Sequence, residues 1–448
     1  MKNIRTIYGP VMLLISVISS SCTAEKQRTE VTQITLSRSY VSLTKGNEAT
    51  LTAQILPYNA TDQALSWQSD HPQVATVSSA GKVMAMSAGH AVITVRSGDA
   101  TATCRVTVKT ALIGVYYFDG WSGVNSQSAN PGANWAVNAP THLTKRLFES
   151  FPEREPLWGW RNDTQEIMER QIDLASDNGV DFFLFCWYWQ NNRGYLNEST
   201  IRNDSKHKSL ALYLTAANKQ NLQFCLLIAN HAGSEIIGSD NWADAVRHWM
   251  PYFRDPQYTT VDGKPLVVLF GTGDETITDA DIAKMQETAV KEGLKNGLAI
   301  AGCGANATVR RKTFTHSTHY NLTSGYSDGS REQPYQLLID RAKPQWTGTV
   351  AQPYMPVINS GWDKRPWEGP DGMNQVEGWY FTGDTPELFQ GFLRDAIGWM
   401  NVNPIRTTRE RIVLIYAWNE LGEGGYLVPT KGDTQAAKLK KIKELLDE

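Results

Sequence analysis

At 448 residues and a formal net charge of −3, the chain exceeds one typical domain and carries no basic field for nucleic acid or anionic lipid. Two domains of unequal size and a neutral or locally read partner are expected. Aromatic residues make up 10%, with 15 Trp, and such flat amphipathic rings either fill a core or stack on sugar faces.

The first segment is a targeting signal. Lys2 and Arg5 form a positive region, Val11 to Ile18 a short apolar one, and Ser19-Ser20-Ser21-Cys22 closes it. The apolar stretch is too short to span a bilayer. Small residues before a cysteine resemble a bacterial lipobox, which implies cleavage after residue 21 and lipidation of Cys22. An ordinary secretory signal with an incidental cysteine is the alternative, and both readings export the protein. The expectation is a signal peptide over 1–21, a linker over 22–30 and a lipid anchor in the outer membrane, on its periplasmic or outer face. Cys104, Cys186, Cys225 and Cys303 are scattered through apolar runs and read as buried thiols, with neither a disulfide framework nor zinc spacing.

From 31 to 109 the texture is all-β. Short β-branched stretches at Ile34–Leu36, Ala49–Ile55, Leu65–Trp67, Val74–Val77, Lys82–Ala85, His90–Val95 and Thr101–Val108 alternate with turn clusters such as Pro57-Tyr58-Asn59-Ala60-Thr61-Asp62. That spacing predicts a small β-sandwich. Leu65-Ser66-Trp67-Gln68-Ser69-Asp70, then Val74-Ala75-Thr76-Val77, Gly81-Lys82-Val83 and Gly89, Ala91, Ile93, Thr94 resemble the group 2 bacterial Ig-like domain. The resemblance implies adhesion or spacing, and without a reactive cluster here spacing is the simpler role.

Beyond residue 109 apolar runs alternate with helical stretches, the mark of βαβ units. Candidate strands are Leu112–Phe118, Val180–Trp189, Gln223–Asn230, Pro265–Phe270, Leu298–Cys303, Tyr320–Tyr326, Val350–Val357 and Ile412–Trp418. Eight strands over 110–448 suit a TIM (β/α)8 barrel, and no Gly-rich phosphate loop after the first strand supports an open doubly wound sheet. The clearest helix starts at Asp163, with Glu166 completing a capping-box pattern, Met168, Ile172 and Ala175 on one face, and Gly179 at its end.

In a barrel the residues past each strand's C-terminal end share one mouth. Strand one leads to Tyr117, Asp119 and Trp121 and a loop through Trp158. Strand two ends in Trp187-Tyr188-Trp189, strand three in Asn230-His231, strand six in Tyr326, strand seven in Trp362-Asp363, and strand eight in Asn419-Glu420 with Glu423 and Tyr426 beyond. Paired acids past a buried strand suggest acid/base work on a glycosidic bond. They could instead start a helix and answer its dipole. Asn419 suits an N-cap or turn as well as a ligand contact, and Asp119 and Asp363 suit loop salt bridges to residues such as Arg161 or Arg365. His231 suits a sugar hydroxyl or a loop bond. His316 and His319 read as structural, and the Lys438 to Lys443 run as the solvated face of a last helix. Alternation along a strand turns at least one ring of Trp187, Tyr188 and Trp189 away from the mouth. No cofactor or metal is expected.

Gln171-Ile172 and Ala175, Gly179-Val180-Asp181-Phe182-Phe183, Trp187-Tyr188-Trp189, Ala229-Asn230, Gly361-Trp362-Asp363 and Ala417-Trp418-Asn419-Glu420 with Glu423-Gly424 are similar to the glycoside hydrolase family 99-like group, which includes endo-acting α-mannosidases and the WbsX-like glycosyltransferase domain. The resemblance implies an (α/β)8 barrel cleaving α-linked glycans, mannosides or related sugars such as rhamnosides, with retention and without metal. Glu420 would deprotonate the sugar's own 2-hydroxyl to give a 1,2-anhydro intermediate, and Glu423 would serve as acid/base. Between the acids that group usually carries Trp and His, where this chain has Leu421 and Gly422, a change that reshapes the subsite beside the bond. A monomeric, exported glycosidase acting on a poly- or oligosaccharide is the reading. A glycosyltransferase, or a non-catalytic surface glycan-binding protein, is the alternative.

Overall fold

The computed structural model of the chain describes residues 28–123, 139–189, 194–273, 275–304, 313–323, 330–348, 352–369, 371–372 and 377–448. Cys22 and Tyr326 fall outside them. Eight barrel strands appear in order: β1 (Leu112–Tyr117), β2 (Phe182–Trp187), β3 (Gln223–Ala229), β4 (Lys264–Phe270), β5 (Ala299–Cys303), β6 (His316–Thr318), β7 (Val357–Asn359) and β8 (Ile412–Tyr416). Their parallel pairing runs β6-β5-β4-β3-β2-β1-β8-β7. The ring is nearly closed, and a single bridge, Ser317 to Tyr354 just before β7, spans the gap. Buried on both faces, β1, β2 and β8 are apolar throughout, as a parallel sheet between core and helices requires.

Two strands lie elsewhere than expected. β6 is the polar run His316–Thr318, four residues before the predicted Tyr320–Tyr326, and Tyr320 falls in the loop beyond it. Hydroxyls replace apolar contacts there: Thr318 donates to the Met355 carbonyl at 2.9 Å, and Thr315 to that of Ile300 at 3.1 Å. An apolar-run criterion passes over such a strand. β7 begins at Val357, the last residue of the predicted Val350–Val357, because Tyr354 already bridges to Ser317 and Thr407. The helix expected from Asp163 runs Gln165–Asp177, and its cap is Thr164, whose hydroxyl accepts from Ile167 N; Asp163 is drawn off by Arg161. Met168, Ile172 and Ala175 face the core as expected.

The N-terminal region is a β-sandwich. One sheet pairs Tyr40–Thr44, Ala100–Lys109, Gly89–Ser97 and Ser66–Ser69, and the other Glu48–Thr50, Lys82–Ala85 and Ala75–Val77. Val41, Leu51, Val83, Ile93 and Val106 lie in its core. Predicted Ala49–Ile55 is two strands broken at buried Leu51, and Tyr40–Thr44 escapes the pattern because its polar side chains Ser42 and Thr44 are buried. Thr44 donates to the Glu410 carbonyl and Asn47 to that of Arg409.

Only Thr110 and Ala111 separate sandwich from barrel. Across that junction Lys109 pairs with Asp181 at 2.7 Å, both side chains under 10% exposed. Burial is the largest influence and works against the lysine's charge, but Asp181, Tyr40 and Asp447 together outweigh it and hold the pKa above the ordinary value. The other Asp181 oxygen accepts from Ile113 N at 2.8 Å. These contacts lie at the N-terminal ends of β1, β2 and β8, so the sandwich is seated on the barrel floor. Breaking a buried pair strands its partner's charge. Lys109→Met should therefore cost about 3–5 kcal/mol in denaturant unfolding, and Lys109→Met with Asp181→Leu distinctly less.

Candidate functional site

Beyond β8 the chain forms a two-rung hairpin in which Asn419 and Glu420 pair with Tyr426 and Gly425. No helix starts here, so the dipole reading of the two acids does not apply. The turn at 421–424 closes with Gly424 at φ +73°, and a Cβ there would sit 2.7 Å from Asp363 N. Only glycine lets the turn rest on the segment after β7, where Asp363 N donates to the Glu423 carbonyl at 2.6 Å.

Asn419 fixes the hairpin to β1. Its Oδ1 accepts from Phe118 N and its Nδ2 donates to Phe118 O, each at 2.8 Å, while the Trp121 indole donates to its carbonyl. Glu420, 4% exposed, takes a 2.5 Å bond from the Tyr320 hydroxyl on Oε1. Its Oε2 is buried and has no hydrogen-bond partner among the described residues. Glu423 accepts from the Tyr416 hydroxyl. Below them Tyr116, Tyr416 and Phe270 pack around the Tyr320 ring with centroids 4.9–5.3 Å away. This aromatic floor desolvates both acids.

Burial, then the charge of Glu423, pushes the Glu420 carboxyl well above its ordinary range, against the Tyr320 bond. Burial also raises Glu423, opposed by Tyr416 and Lys364 and reinforced by Glu368. Two coupled acids in such a place hold a proton between them at pH values where exposed carboxylates have lost theirs. The arrangement can donate a proton and accept another within one turn of chain.

The other expected residues divide by the face they occupy. Tyr117 turns outward, packing on Phe183 and Phe185 with its hydroxyl on Ser209 of the Lys208–Thr215 helix. Trp187 likewise packs against His248 and Trp249 of the Ser239–Phe253 helix. Both sit in the layer between strands and helices, a position set by strand alternation, and cannot meet a ligand in the mouth. Asp119 ties the first loop to that Lys208–Thr215 helix: its carboxylate accepts from the Ser122 hydroxyl and Ser209 N, each at 2.5 Å, and burial raises its pKa to about 6. Asn230 spends its amide on Ile236 N and the Gly271 carbonyl. Asp363 is clamped by Arg154 at 2.5 Å and Arg365 at 2.7 Å, as a loop salt bridge, whereas Arg161 pairs with Asp163. Trp189 donates to Gly194 O, and Trp158 donates to Asn162 beneath Arg170. Trp121 serves as the support of Asn419 already described.

At the mouth remain exposed His231, with its ring 6.1 Å from that of Tyr188 and 6.0 Å from Phe270, Trp362 against Tyr416, and half-buried Tyr426 opposite Asn419. The sequence reading missed Tyr320 and Tyr416, which hold the two acids. Tyr416 is the inward residue immediately before Ala417-Trp418-Asn419, so a parity count along β8 would have found it. Tyr320 sits past the strand that the apolar criterion misplaced. Cys104, Cys186 and Cys225 are buried and free, and Cys303 is half-buried and free.

The sequence matches the family described as Glycosyltransferase WbsX over residues 158–441 and the bacterial Ig-like domain (group 2) over 30–108. A solved structure described as a glycoside hydrolase-like protein is 15% identical, covers 75% of this chain and 94% of its own, and has a TM-score of 0.52. It shares the fold. A GH99 endo-alpha-mannosidase from Bacteroides thetaiotaomicron is 17% identical, covers 75% of this chain and 96% of its own, and has a TM-score of 0.48. No curated protein matches.

A carboxyl whose folded pKa is raised binds more protons folded than unfolded, so it costs stability progressively as pH climbs from its ordinary value through the raised one. Removing that charge should relieve the cost. Glu420→Gln should melt higher than the parent, and the gap should be wider at pH 8 than at pH 5 in calorimetric scans. An equal gap at both would contradict the raised value.

Proposed function

The chain belongs to the WbsX glycosyltransferase family, and we propose that its barrel is a glycoside hydrolase acting on α-linked glycans, α-mannosides or related sugars. One observation carries this reading: one buried and one half-buried carboxylate on one hairpin at the barrel mouth, both pushed up in pKa and each held by its own tyrosine. Glu420 Oε2, buried and without a hydrogen-bond partner among the described residues, is the acceptor available to a sugar hydroxyl. In the proposed reaction Glu420 takes the proton of the 2-hydroxyl, whose oxygen attacks the anomeric carbon. The bond to the leaving oxygen breaks, and Glu423 gives that oxygen its proton. Glu423 then takes a proton from water, which opens the 1,2-anhydro sugar at the anomeric carbon, and Glu420 returns the proton to the 2-oxygen. Attack and hydration each invert, so the configuration is retained.

The family's description names glycosyl transfer. A nucleotide-sugar donor brings a diphosphate, and the charges around Glu423 oppose one: Lys364 is its cation, while Glu420 and Glu368 add like charge. A neutral glycan suffers no such repulsion. We further propose that the protein is exported and lipid-anchored at Cys22. An anchor ahead of the sandwich, which is seated on the barrel floor, leaves the mouth turned away from the membrane.

Reducing ends released from α-linked glycans are the direct measure. Glu423→Gln and Glu420→Gln should each lower the rate by about 10²–10⁴-fold, the range for a positioned acid or base. Equal release by parent and Glu423→Gln would remove Glu423 from the acid role. Cys22→Ser should shift the protein from the membrane to the soluble fraction of the cell, and unchanged fractionation would end the anchor assignment.

A further inference from the structure

The acid-bearing turn has a partner from another loop. Gly422, between the two acids, has no side chain, and a Cβ there would collide with the indole of Trp367. The indole lies directly over the turn, in the space a side chain at 422 would take. Its backbone is fixed from both sides: Thr144 donates to Pro366 O at 2.7 Å and Arg146 to Glu368 O at 2.5 Å. Trp367 is half-buried, and its indole Nε1 is buried with no hydrogen-bond partner among the described residues.

Beside it stands His142. Its ring lies 6.1 Å from Trp367 and 5.0 Å from Phe118, and Phe118 lies 6.0 Å from Trp367, so the three form one cluster against the turn. His142 Nδ1 is buried with no hydrogen-bond partner among the described residues. Burial, then Lys206, lowers its pKa to about 4, so the imidazole is neutral at working pH. A neutral imidazole nitrogen beside a half-buried indole suits a hydroxylated, uncharged ring: the apolar face of a sugar stacks on the indole and a hydroxyl bonds the nitrogen. Glu368, the next residue after Trp367, is buried and pairs with Lys364 at 3.5 Å, so the one ammonium beside the turn is shared with Glu423 and the balance of charge disfavours an acidic sugar.

We propose that Trp367 and His142 form the wall of the sugar subsite beside the carboxylate pair, and that this wall selects a neutral glycosyl ring. The inference rests on the hydrolase reading for the identity of the ligand, but its test does not need turnover. Binding of α-mannotriose, α-rhamnotriose, maltotriose and the acidic α-linked trigalacturonate is measured by calorimetry on Glu423→Gln protein, alone and with Trp367→Ala, Trp367→Phe, His142→Ala or His142→Gln added. At least one neutral trisaccharide should bind, and trigalacturonate should not. Trp367→Ala should weaken the bound sugar by about tenfold or more while Trp367→Phe keeps most of the affinity, as loss of a stacking ring requires. His142→Ala should weaken it and His142→Gln restore part of it. Unfolding curves that overlay the parent's keep the comparison clean, and the Phe and Gln variants serve if an alanine variant fails to fold.

Equal affinity of Trp367→Ala and its parent would overturn the proposal. So would preferential binding of trigalacturonate, or binding of no neutral trisaccharide. The two readings fail separately. Trp367-dependent binding without any release of reducing ends by the parent enzyme sinks the hydrolase alone. Release with an unchanged KM in Trp367→Ala sinks the wall alone.

Discussion

The site depends on a side chain that does no chemistry. Asn419 clasps the main chain of Phe118 with both ends of its amide, so the exits of β1 and β8 are held at one separation and Glu420 leaves the barrel at one angle. An amide carries a donor and an acceptor side by side on one planar head, which matches the strand edge at Phe118 N and O. Buried bonds of this kind are costly to leave half-made. An aspartate in the same place would lose its donor and set a charge beside two acids already short of solvent.

Everything above that clasp is arranged at the expense of stability. The tyrosines below the acids supply apolar rings, which raise the carboxyls, and one hydroxyl each, which lowers them again. The balance leaves both raised. A core built for stability alone would satisfy Glu420 Oε2 or replace the residue. Keeping a buried carboxylate oxygen without a partner among the described residues makes sense where a ligand completes the bonding. The glycines at 361, 422 and 424 work to the same end, since each permits a close approach that packs the turn onto the loop after β7 or under Trp367.

Much of this was legible in the chain before any coordinates. The strands with long apolar runs, β1 to β5 and β8, can be placed because a parallel strand buried on both faces has few polar positions to confuse the pattern. The sandwich followed from its turn spacing. The acid pair followed from its place past an apolar run. What did not follow was parity. The rule that mouths form at strand ends does not say which of two neighbouring residues points inward, and so Tyr117 and Trp187 were expected at the mouth although they face helices. Tyr116 and Tyr416 hold the inward positions instead. β6 was missed for a different reason: His316–Thr318 satisfies its backbone and side chains through hydroxyl bonds, which leave no hydrophobic trace.

The residues between the acids show how a loss in one segment is answered in another. Leu421 and Gly422 look in sequence like an emptied subsite. In the fold Leu421 is buried and its carbonyl takes a bond from Arg154, which also clamps Asp363, so the turn is tied to the loop after β7 through one guanidinium. The vacancy at Gly422 is filled by Trp367 from that same loop. The intervening pair and the loop after β7 therefore form a single physical unit. A substitution at 422 is felt first by Trp367.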